Sequence, residues 1–192
     1  MCKCILIASN GNNIGKSTTA RLLKDHLGGE VMSFADPIRK QVKELYMGLC
    51  THPTFDELYE RYPTFDELYT QERKNEPVLE GKSVRELVNE YSDLVQKMLS
   101  PQVWARIALN NILKSDASLV IFDDFRRVIE YDYLKDHLEV FTIYLDKADK
   151  NQVHTPYEGQ LENFEFDLRF TFDKDYGNVQ ELLRACSLMV KQ

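Results

Sequence analysis

The chain has 192 residues, 43% of them hydrophobic and 11% aromatic, which is enough for one well-filled core and little for two. Its 24 basic and 31 acidic residues give a net charge of −7, which argues against a broad nucleic-acid-binding surface. The four cysteines lack metal-ligand spacing and the density of a disulfide-rich secreted domain, and no apolar run is long enough for a membrane span. We therefore expect one domain, residues 1–192, in the cytoplasm with reduced thiols.

Strands and helices alternate in the first part of the chain. The apolar run 4–8 predicts a buried strand, and the leucine spacing of 17–26 predicts a helix that stops at two glycines. A second strand is predicted at 31–34. Asp36 and Pro37 then supply the N-cap and first-turn proline of a helix that extends to about residue 49.

Residues 51–82 interrupt this alternation and contain a tandem repeat, in which Pro53–Tyr59 recurs as Pro63–Tyr69. Each copy carries a capping box of the Thr-x-x-Glu type, which predicts two short helical turns. Two copies are too few for a solenoid. The segment is either a duplication within a surface insertion or a cover over a substrate, as kinases use to exclude water.

The second part of the chain again alternates helix and strand. A capping box formed by Ser83 and Glu86 begins a helix to about residue 99. Its predicted buried stripe is Val84, Leu87, Val88, Tyr91, Leu94, Val95 and Met98, opposite the polar Arg85, Asn89, Ser92 and Gln96. Further elements are predicted as helix 100–113, strand 118–123, helix 129–138, strands 140–145 and 166–172, and a helix from 178. This order predicts an α/β fold with about five parallel strands and helices on both faces.

The segment Asn10–Thr18 lies between the first strand and the first helix, the context that a phosphate-binding Walker A loop requires. Inward-pointing backbone N–H groups and the helix N-terminus would bind phosphates there. Lys16 would reach the β- and γ-phosphates, and the Ser17 hydroxyl would bind magnesium. Asn10 replaces the usual first glycine, and asparagine tolerates left-handed backbone angles. The predicted donor-binding residues are Gly11, Asn12, Asn13, Ile14, Gly15, Lys16, Ser17 and Thr18.

Carboxylates and arginines elsewhere fit the same chemistry. Asp123 and Asp124 follow a buried strand, where a carboxylate can hold magnesium through water, and strand phase alone does not choose between them. Guanidinium groups bind phosphate oxygens bidentately, so the arginines are candidates for phosphate contacts. These candidates are Arg39, Arg85, Arg126 and Arg127, with Arg126 as the predicted transition-state clamp because it follows a strand end.

Several of these segments, in this order, resemble the bacteriophage-type deoxynucleoside monophosphate kinases, a branch of the P-loop nucleotide kinases. Beyond the phosphate loop, the resemblance rests on 34–39, on 83–87 with its arginine, and on the tryptophan of 101–104. It continues through 124–126 with the following Glu130, and through a late loop with His154 and Glu158. The central helix has Leu94-Val95 where the family often has Gly-Asp, and Ile129 stands where asparagine is common.

The resemblance implies a three-layer P-loop NTPase fold and transfer of the γ-phosphoryl group of ATP, with Mg²⁺, to a deoxynucleoside monophosphate. It favours Asp124 over Asp123 for the metal and implies catalytic roles for Lys16, Arg126 and Asp124. The acceptor-binding residues that it implies are Phe34, Arg39, Arg85, Trp104, Arg127 and Glu130. It also implies a host-cell cytoplasmic location if the chain is phage-encoded.

Two other functions stay open from the sequence. One is a kinase that phosphorylates a modified base or nucleoside within DNA, which the acidic composition disfavours. The other is a regulatory module that binds a nucleotide without turnover, against which the retained Lys16, Ser17, Asp124 and Arg126 argue. The accepted base and the oligomeric state, with a homodimer as one option, are likewise open.

Overall fold

A computed structural model describes residues 2–9, 14–50, 64–70, 72–147, 161, 163–173 and 176–191. Asn10–Asn13, the first copy of the repeat, His154 and Glu158 lie outside these residues. The chain divides into two compact units, a sheet unit (1–34 with 104–192) and a second unit (35–103). The prediction of one domain with an insertion at 51–82 stays a prediction. Among the described residues, no helix is both long and apolar enough to cross a bilayer.

The described residues contain seven helices and seven strands, close to the predicted order. The helices are α1 (Lys16–Leu27), α2 (Asp36–Cys50), α3 (Phe65–Leu68), α4 (Val84–Met98), α5 (Val103–Lys114), α6 (Val128–Lys135) and α7 (Val179–Val190). The strands are β1 (Lys3–Ser9), β2 (Glu30–Met32), β3 (Pro77–Leu79), β4 (Lys82–Ser83), β5 (Leu119–Phe122), β6 (Glu139–Lys147) and β7 (Leu168–Phe172).

Five strands of the sheet unit form one sheet in the order β2-β5-β1-β6-β7, and every neighbouring pair is parallel. The central β1 pairs Leu6 with Phe122 of β5 and with Thr142 of β6. Because β1 has neighbours on both edges and helices on both faces, its apolar run is buried almost throughout.

Both faces of this sheet carry a hydrophobic core. Alternate residues of β1 point to opposite faces, so Leu6 and Ile7 belong to different cores. The Leu6 core includes residues of α5 and α6, namely Ala108, Leu109, Ile112 and Leu134. The Ile7 core includes residues of α1 and α7, namely Ala20, Leu23, Leu182, Leu183 and Cys186. The three-layer α/β fold predicted from the sequence is thereby confirmed.

The turn between α1 and β2 depends on glycine. Gly29 has a φ of +95°, and a Cβ atom there would lie 2.3 Å from the carbonyl oxygen of Leu119 on β5. No other residue fits this close approach of two backbone segments. The turn therefore fixes where β2 joins the sheet.

The direction of the connections switches at the carboxyl ends of two adjacent strands. The chain leaves β1 into α1 on one face, whereas it leaves the neighbouring β5 into α6 on the other. Open α/β sheets bind ligands at such a point. The sequence segments Asn10–Thr18 and Asp123–Arg127 follow these two strands.

In the second unit, α2 packs against α4, but the buried line of α4 differs from the predicted stripe. Its buried residues are Val84, Val88 and Ser92, whereas Leu94 is 53% and Met98 72% exposed. The assignment of Leu94 and Met98 to the buried stripe was therefore wrong, and Ser92, on the predicted polar side, is buried. A pattern of apolar residues does not predict the burial of a serine, although a small hydroxyl side chain fits between closely packed helices.

A short hairpin that the sequence did not predict precedes α4. Strands β3 and β4 pair antiparallel around Glu80 and Gly81, both with positive φ. Two consecutive positive φ angles are typical of the tightest hairpin turns. At its end, Ser83 caps α4, and the predicted capping box with Glu86 is present in both directions.

The second copy of the repeat forms a single helical turn, α3. Thr64 caps it, its hydroxyl accepts from the N–H of Glu67, and the Glu67 carboxylate accepts from the N–H of Thr64. The capping box predicted for this copy is confirmed.

Candidate functional site

The first helix begins at the carboxyl end of the central strand with no side-chain cap. Gly15 precedes it at a φ of +96°, a left-handed conformation that disfavours a side chain. The first turn holds no acidic residue, so the N–H groups and the partial positive charge of the helix end face no carboxylate from that turn. The local backbone suits an anion.

The ammonium group of Lys16 lies at the end of β1. Its Nζ donates to the hydroxyl of Ser9, the last residue of that strand, at 2.5 Å. Ile14, one residue before Gly15, is buried in the core beneath α1. The core therefore anchors the turn on one side while Lys16 stays beside the strand end.

Tyr176 is a neighbour of this turn that the sequence did not indicate. Its Cε1 would lie 3.5 Å from a Cβ atom at Gly15, and its ring lies 5.0 Å from Phe172 and 4.9 Å from the Lys147 ammonium. Tyr176 has a φ of 56°, a conformation uncommon for an aromatic residue. Only its place before a glycine, in a loop between strand and helix, could have drawn attention to it.

The two aspartates after β5 have different surroundings. The Asp124 carboxylate accepts from the Ser33 hydroxyl at 2.5 Å and from the Phe34 N–H at 2.9 Å, so it connects the ends of β5 and β2. Asp123 is half-buried, and its carboxylate has no hydrogen bond or ion pair with the residues described by the structure. The contacts give Asp124 a structural role and leave Asp123 with fewer constraints.

Glu130 is a buried carboxyl group at the third position of α6. One of its oxygens accepts from the N–H groups of Arg126 and Arg127, each at 3.2 Å. Burial, and then the nearby charge of Asp124, raises the pKa of Glu130 to about 8. The side chain faces the protein backbone, so its contacts indicate that it holds the 126–127 loop in place.

Arg126 lies half-buried in the loop that Glu130 holds. In the part of the chain that the structure describes, its guanidinium group has no hydrogen bond or ion pair. The preceding residue, Phe125, is buried, and its N–H donates to the carbonyl oxygen of Ile7 on β1. The loop that carries Arg126 is thus fastened to the central strand.

Phe34 and Trp104, predicted to contact an acceptor nucleotide, are both buried, with 3% of each exposed. The Phe34 ring stacks on Phe122 of β5 at a centroid distance of 4.3 Å. Both positions fit core packing, in which an aromatic ring buries a large apolar surface.

The predicted acceptor-binding residues of the second unit are Arg39 on α2 and Arg85 on α4. Arg39 forms an ion pair with Asp36, and its guanidinium lies 5.5 Å from the centre of the Tyr69 ring. Arg85 is half-buried in the first turn of α4, and its N–H donates to the carbonyl oxygen of Lys74. In the sheet unit, four of the predicted site residues lie at the ends of β1 and β5, namely Lys16, Asp123, Asp124 and Arg126. In the second unit, Arg39 contacts Asp36 and Tyr69.

The donor atoms near the strand ends suit a hard cation. Ser17, in the first turn of α1, offers a hydroxyl oxygen, and Asp123 and Asp124 offer carboxylate oxygens. Oxygen ligands of this kind are those that Mg²⁺ takes in proteins, with water and phosphate filling the remaining positions. The residues present therefore fit magnesium bound together with a nucleotide.

Comparisons with known proteins give a likeness in fold. The chain is similar to TT1252 from Thermus thermophilus, with 16% identity, a TM-score of 0.52 and coverage of 98% of this chain and 97% of that one. It also superposes on dephospho-CoA kinase from Campylobacter jejuni (13% identity, TM-score 0.46, coverage 98% and 97%). A third similar structure is shikimate kinase from Aquifex aeolicus (11% identity, TM-score 0.45, coverage 98% and 96%).

No protein-family model matches the chain, and no curated protein matches it in sequence. At 16% identity, the first likeness shows a shared fold and nothing about activity, and TM-scores below 0.5 add nothing to it. The chain therefore shares its fold with TT1252.

Proposed function

We propose that the protein is an ATP-dependent kinase that transfers the γ-phosphoryl group to a deoxynucleoside monophosphate, giving the diphosphate and ADP. The observation that carries this proposal is the uncapped start of α1, with Gly15 and Lys16, at the switch point of a parallel sheet. Such a helix start is an anion site, and the Walker A spacing adds the lysine that a triphosphate needs. The resemblance to phage-type nucleotide kinases supports the acceptor class.

The reaction would need little covalent work from the protein. An oxygen of the acceptor's phosphate forms a bond to the γ-phosphorus, while the bond between that phosphorus and the bridging β–γ oxygen breaks and ADP departs with the electron pair. A phosphate monoester has a second pKa of about 6, so its oxygen carries the needed charge at neutral pH without a general base. The protein's task is alignment and stabilisation of charge.

In this proposal, Lys16 binds the β- and γ-phosphates, and Arg126 stabilises the charge on the group in transfer. On binding of ATP, the Lys16 ammonium would exchange its contact with the Ser9 hydroxyl for contacts with the phosphates. The Arg126 guanidinium is available for that role because its loop is held by backbone contacts to Glu130. Magnesium, when bound, would neutralise phosphate charge and would be held by Ser17 and by water on a carboxylate.

Either Asp123 or Asp124 can supply that carboxylate. The resemblance favours Asp124, whereas the contacts favour Asp123, because both oxygens of Asp124 already accept from Ser33 and Phe34. For the acceptor, the proposal keeps Arg39, Arg85 and Arg127 as phosphate contacts. Glu130 acts on the 126–127 loop, Phe34 packs in the core against Phe122, and Trp104 is buried.

The experiment that tests this function is a coupled assay of ADP release across the common deoxynucleoside and nucleoside monophosphates. Lys16→Ala is compared with Lys24→Ala, which removes an exposed ammonium from the same helix. We expect turnover with at least one deoxynucleoside monophosphate, a loss of at least about 100-fold in Lys16→Ala and little change in Lys24→Ala.

The same assay separates the alternatives. Phosphorylation of an oligonucleotide but of no free nucleotide would indicate the DNA-directed kinase. ATP binding without ADP release for any acceptor would indicate the regulatory module. Near-normal turnover in folded Lys16→Ala would contradict the proposed mechanism.

A further inference from the structure

The second copy of the repeat packs its apolar residues within the second unit. Phe65 and Leu68 are buried, with 2% and 0% exposed, and the Phe65 ring lies 6.1 Å from that of Tyr46 on α2. Asp66, which is exposed, forms an ion pair with Lys43, which, like Tyr46, lies on α2. The copy is thus held on α2 by burial and by charge.

This packing fixes the position of Tyr69, which directly follows α3. Its ring stacks almost parallel on Phe65, at a centroid distance of 5.5 Å and an interplanar angle of 9°. Because Phe65 is itself buried, Tyr69 has little freedom to move. Its other neighbour is the guanidinium of Arg39, 5.5 Å from the ring centre.

Arg39 is therefore in contact with both Asp36 and Tyr69. Asp36, one turn earlier on α2, accepts a hydrogen bond from Nη2, and the Tyr69 ring lies beside the guanidinium plane. Burial opposes the charge, but the hydrogen bond and charge of Asp36, with Tyr69, hold the pKa of Arg39 above its ordinary value. The side chain remains 30% exposed, so an anion from solvent can reach it.

We propose that Tyr69, at the end of the repeat's second copy, is a positioning residue that orients the guanidinium of Arg39 toward the phosphate group of the acceptor. This inference rests on the proposed function, in which Arg39 binds that phosphate. It gives the duplicated segment a role in substrate binding, since the copy carries the tyrosine to the arginine.

The physical benefit is preorganisation. A free arginine side chain loses much rotational freedom when it binds a phosphate, and an arginine already fixed by a carboxylate and a ring loses less. Removal of the ring should weaken acceptor binding roughly three- to tenfold, from the lost cation–π contact and the regained freedom. Steps that do not involve the acceptor should be unaffected.

The experiment compares Tyr69→Leu, which removes ring and hydroxyl, with Tyr69→Phe, which keeps the ring. Asp66→Asn is the matched control, because it removes an ion pair of the same copy without a contact to Arg39. We expect a roughly three- to tenfold rise in the acceptor KM for Tyr69→Leu, a smaller rise for Tyr69→Phe, and unchanged values for Asp66→Asn. The KM for ATP and kcat should stay near those of the parent.

A second readout does not depend on activity. In protein labelled with ¹⁵N-arginine, a fixed guanidinium gives resolved side-chain N–H signals, and Arg39→Lys identifies those of Arg39. We expect these signals to broaden or vanish in Tyr69→Leu and to persist in Asp66→Asn.

The two readouts separate the inference from the proposed function. Persistent Arg39 signals in folded Tyr69→Leu would overturn the positioning role, whatever the activity. Lost signals with an unchanged acceptor KM in an active enzyme would overturn the link to the acceptor. A parent protein that phosphorylates no acceptor, yet loses these signals in Tyr69→Leu, would refute the proposed function and leave the positioning role supported.

Discussion

Lys16 and Arg39, two of the cations to which we assign phosphate contacts, are held in place in two different ways. Lys16 follows the central strand of the sheet, and the backbone of Gly15 and the strand end at Ser9 set its position. Arg39 lies on an amphipathic helix, and its position depends on side chains, Asp36 and Tyr69. In the first case the fold itself fixes the site, whereas in the second a few replaceable contacts do.

This difference has a consequence for substitution. Backbone geometry at the end of a buried parallel strand tolerates most changes in neighbouring side chains, because hydrogen bonds between main-chain atoms maintain it. Contacts between partly exposed side chains are individually weak, so single substitutions can alter them without loss of the fold. Donor chemistry should therefore be robust, and acceptor preference easy to change.

The largest effect is expected from Arg126→Ala. Loss of the cation that stabilises the group in transfer should lower kcat by about 1,000-fold while nucleotide binding changes little. Arg106→Ala is the control, since Arg106 is an exposed arginine that contacts Tyr133. Steady-state kinetics provide the test, and a kcat within a few-fold of the parent would remove Arg126 from the catalytic site.

A second experiment separates the two aspartates after β5. If Asp123 serves the metal, Asp123→Asn should lower activity about 10- to 100-fold at limiting magnesium, with partial recovery at high magnesium. Asp124→Asn should instead lower the melting temperature, because an amide replaces the carboxylate that accepts hydrogen bonds from Ser33 and Phe34, and these bonds become weaker. Magnesium titrations and thermal melts of both variants provide the data. The opposite pattern would indicate that Asp124, and not Asp123, serves the metal.

Glu130 should make stability depend on pH. Its pKa is raised from 4.5 to about 8, by burial first and then by Asp124, with Arg127 acting in the opposite direction. The folded state therefore binds more protons between these values, and stability should fall as the pH rises through that window. The slope from one proton is at most about 1.4 kcal/mol per pH unit.

Urea denaturation at several pH values tests this sign. Glu130→Gln keeps an oxygen that accepts from the N–H groups of Arg126 and Arg127. It should make the free energy of unfolding nearly independent of pH between pH 5 and about 8. Glu165→Gln, at an exposed position, serves as the control. Stability that rises with pH in the parent would contradict the burial of an uncharged Glu130.

The smallest effect concerns the ion pair between Lys43 and Asp66. Both side chains are largely exposed, so Asp66→Asn should lower the free energy of unfolding by roughly 0.2–1 kcal/mol, and less at high salt. Denaturation at low and high salt measures this difference. A loss several times larger would mean that the copy is held mainly by charge, rather than by burial of Phe65 and Leu68.

The sheet could be predicted from the sequence because its strands are continuous apolar runs with clear boundaries. The runs at 4–8 and 118–123 became β1 and β5 within a residue or two. The start of α1 was also predictable, since the Gly-Lys-Ser sequence has a defined place after a strand. The capping boxes of Ser83 and Thr64 were equally reliable, because both halves are local in sequence.

Features that depend on tertiary packing could not be predicted. Ser92 is buried although it is polar, and the hairpin around Glu80 and Gly81 has strands too short for a periodic pattern. The burial of Glu130 and the different surroundings of Asp123 and Asp124 depend on contacts with distant residues. A single sequence carries no local signal for such contacts.

The central claim is that the start of α1 binds the phosphates of ATP, and amide NMR tests it directly. Addition of a non-hydrolysable ATP analogue with magnesium should shift the N–H signals of Gly15, Lys16 and Ser17 strongly, and those of Lys24 and Asp25 at the other end of the helix weakly. Saturable binding of the analogue that leaves the signals of Gly15, Lys16 and Ser17 unchanged would contradict the account.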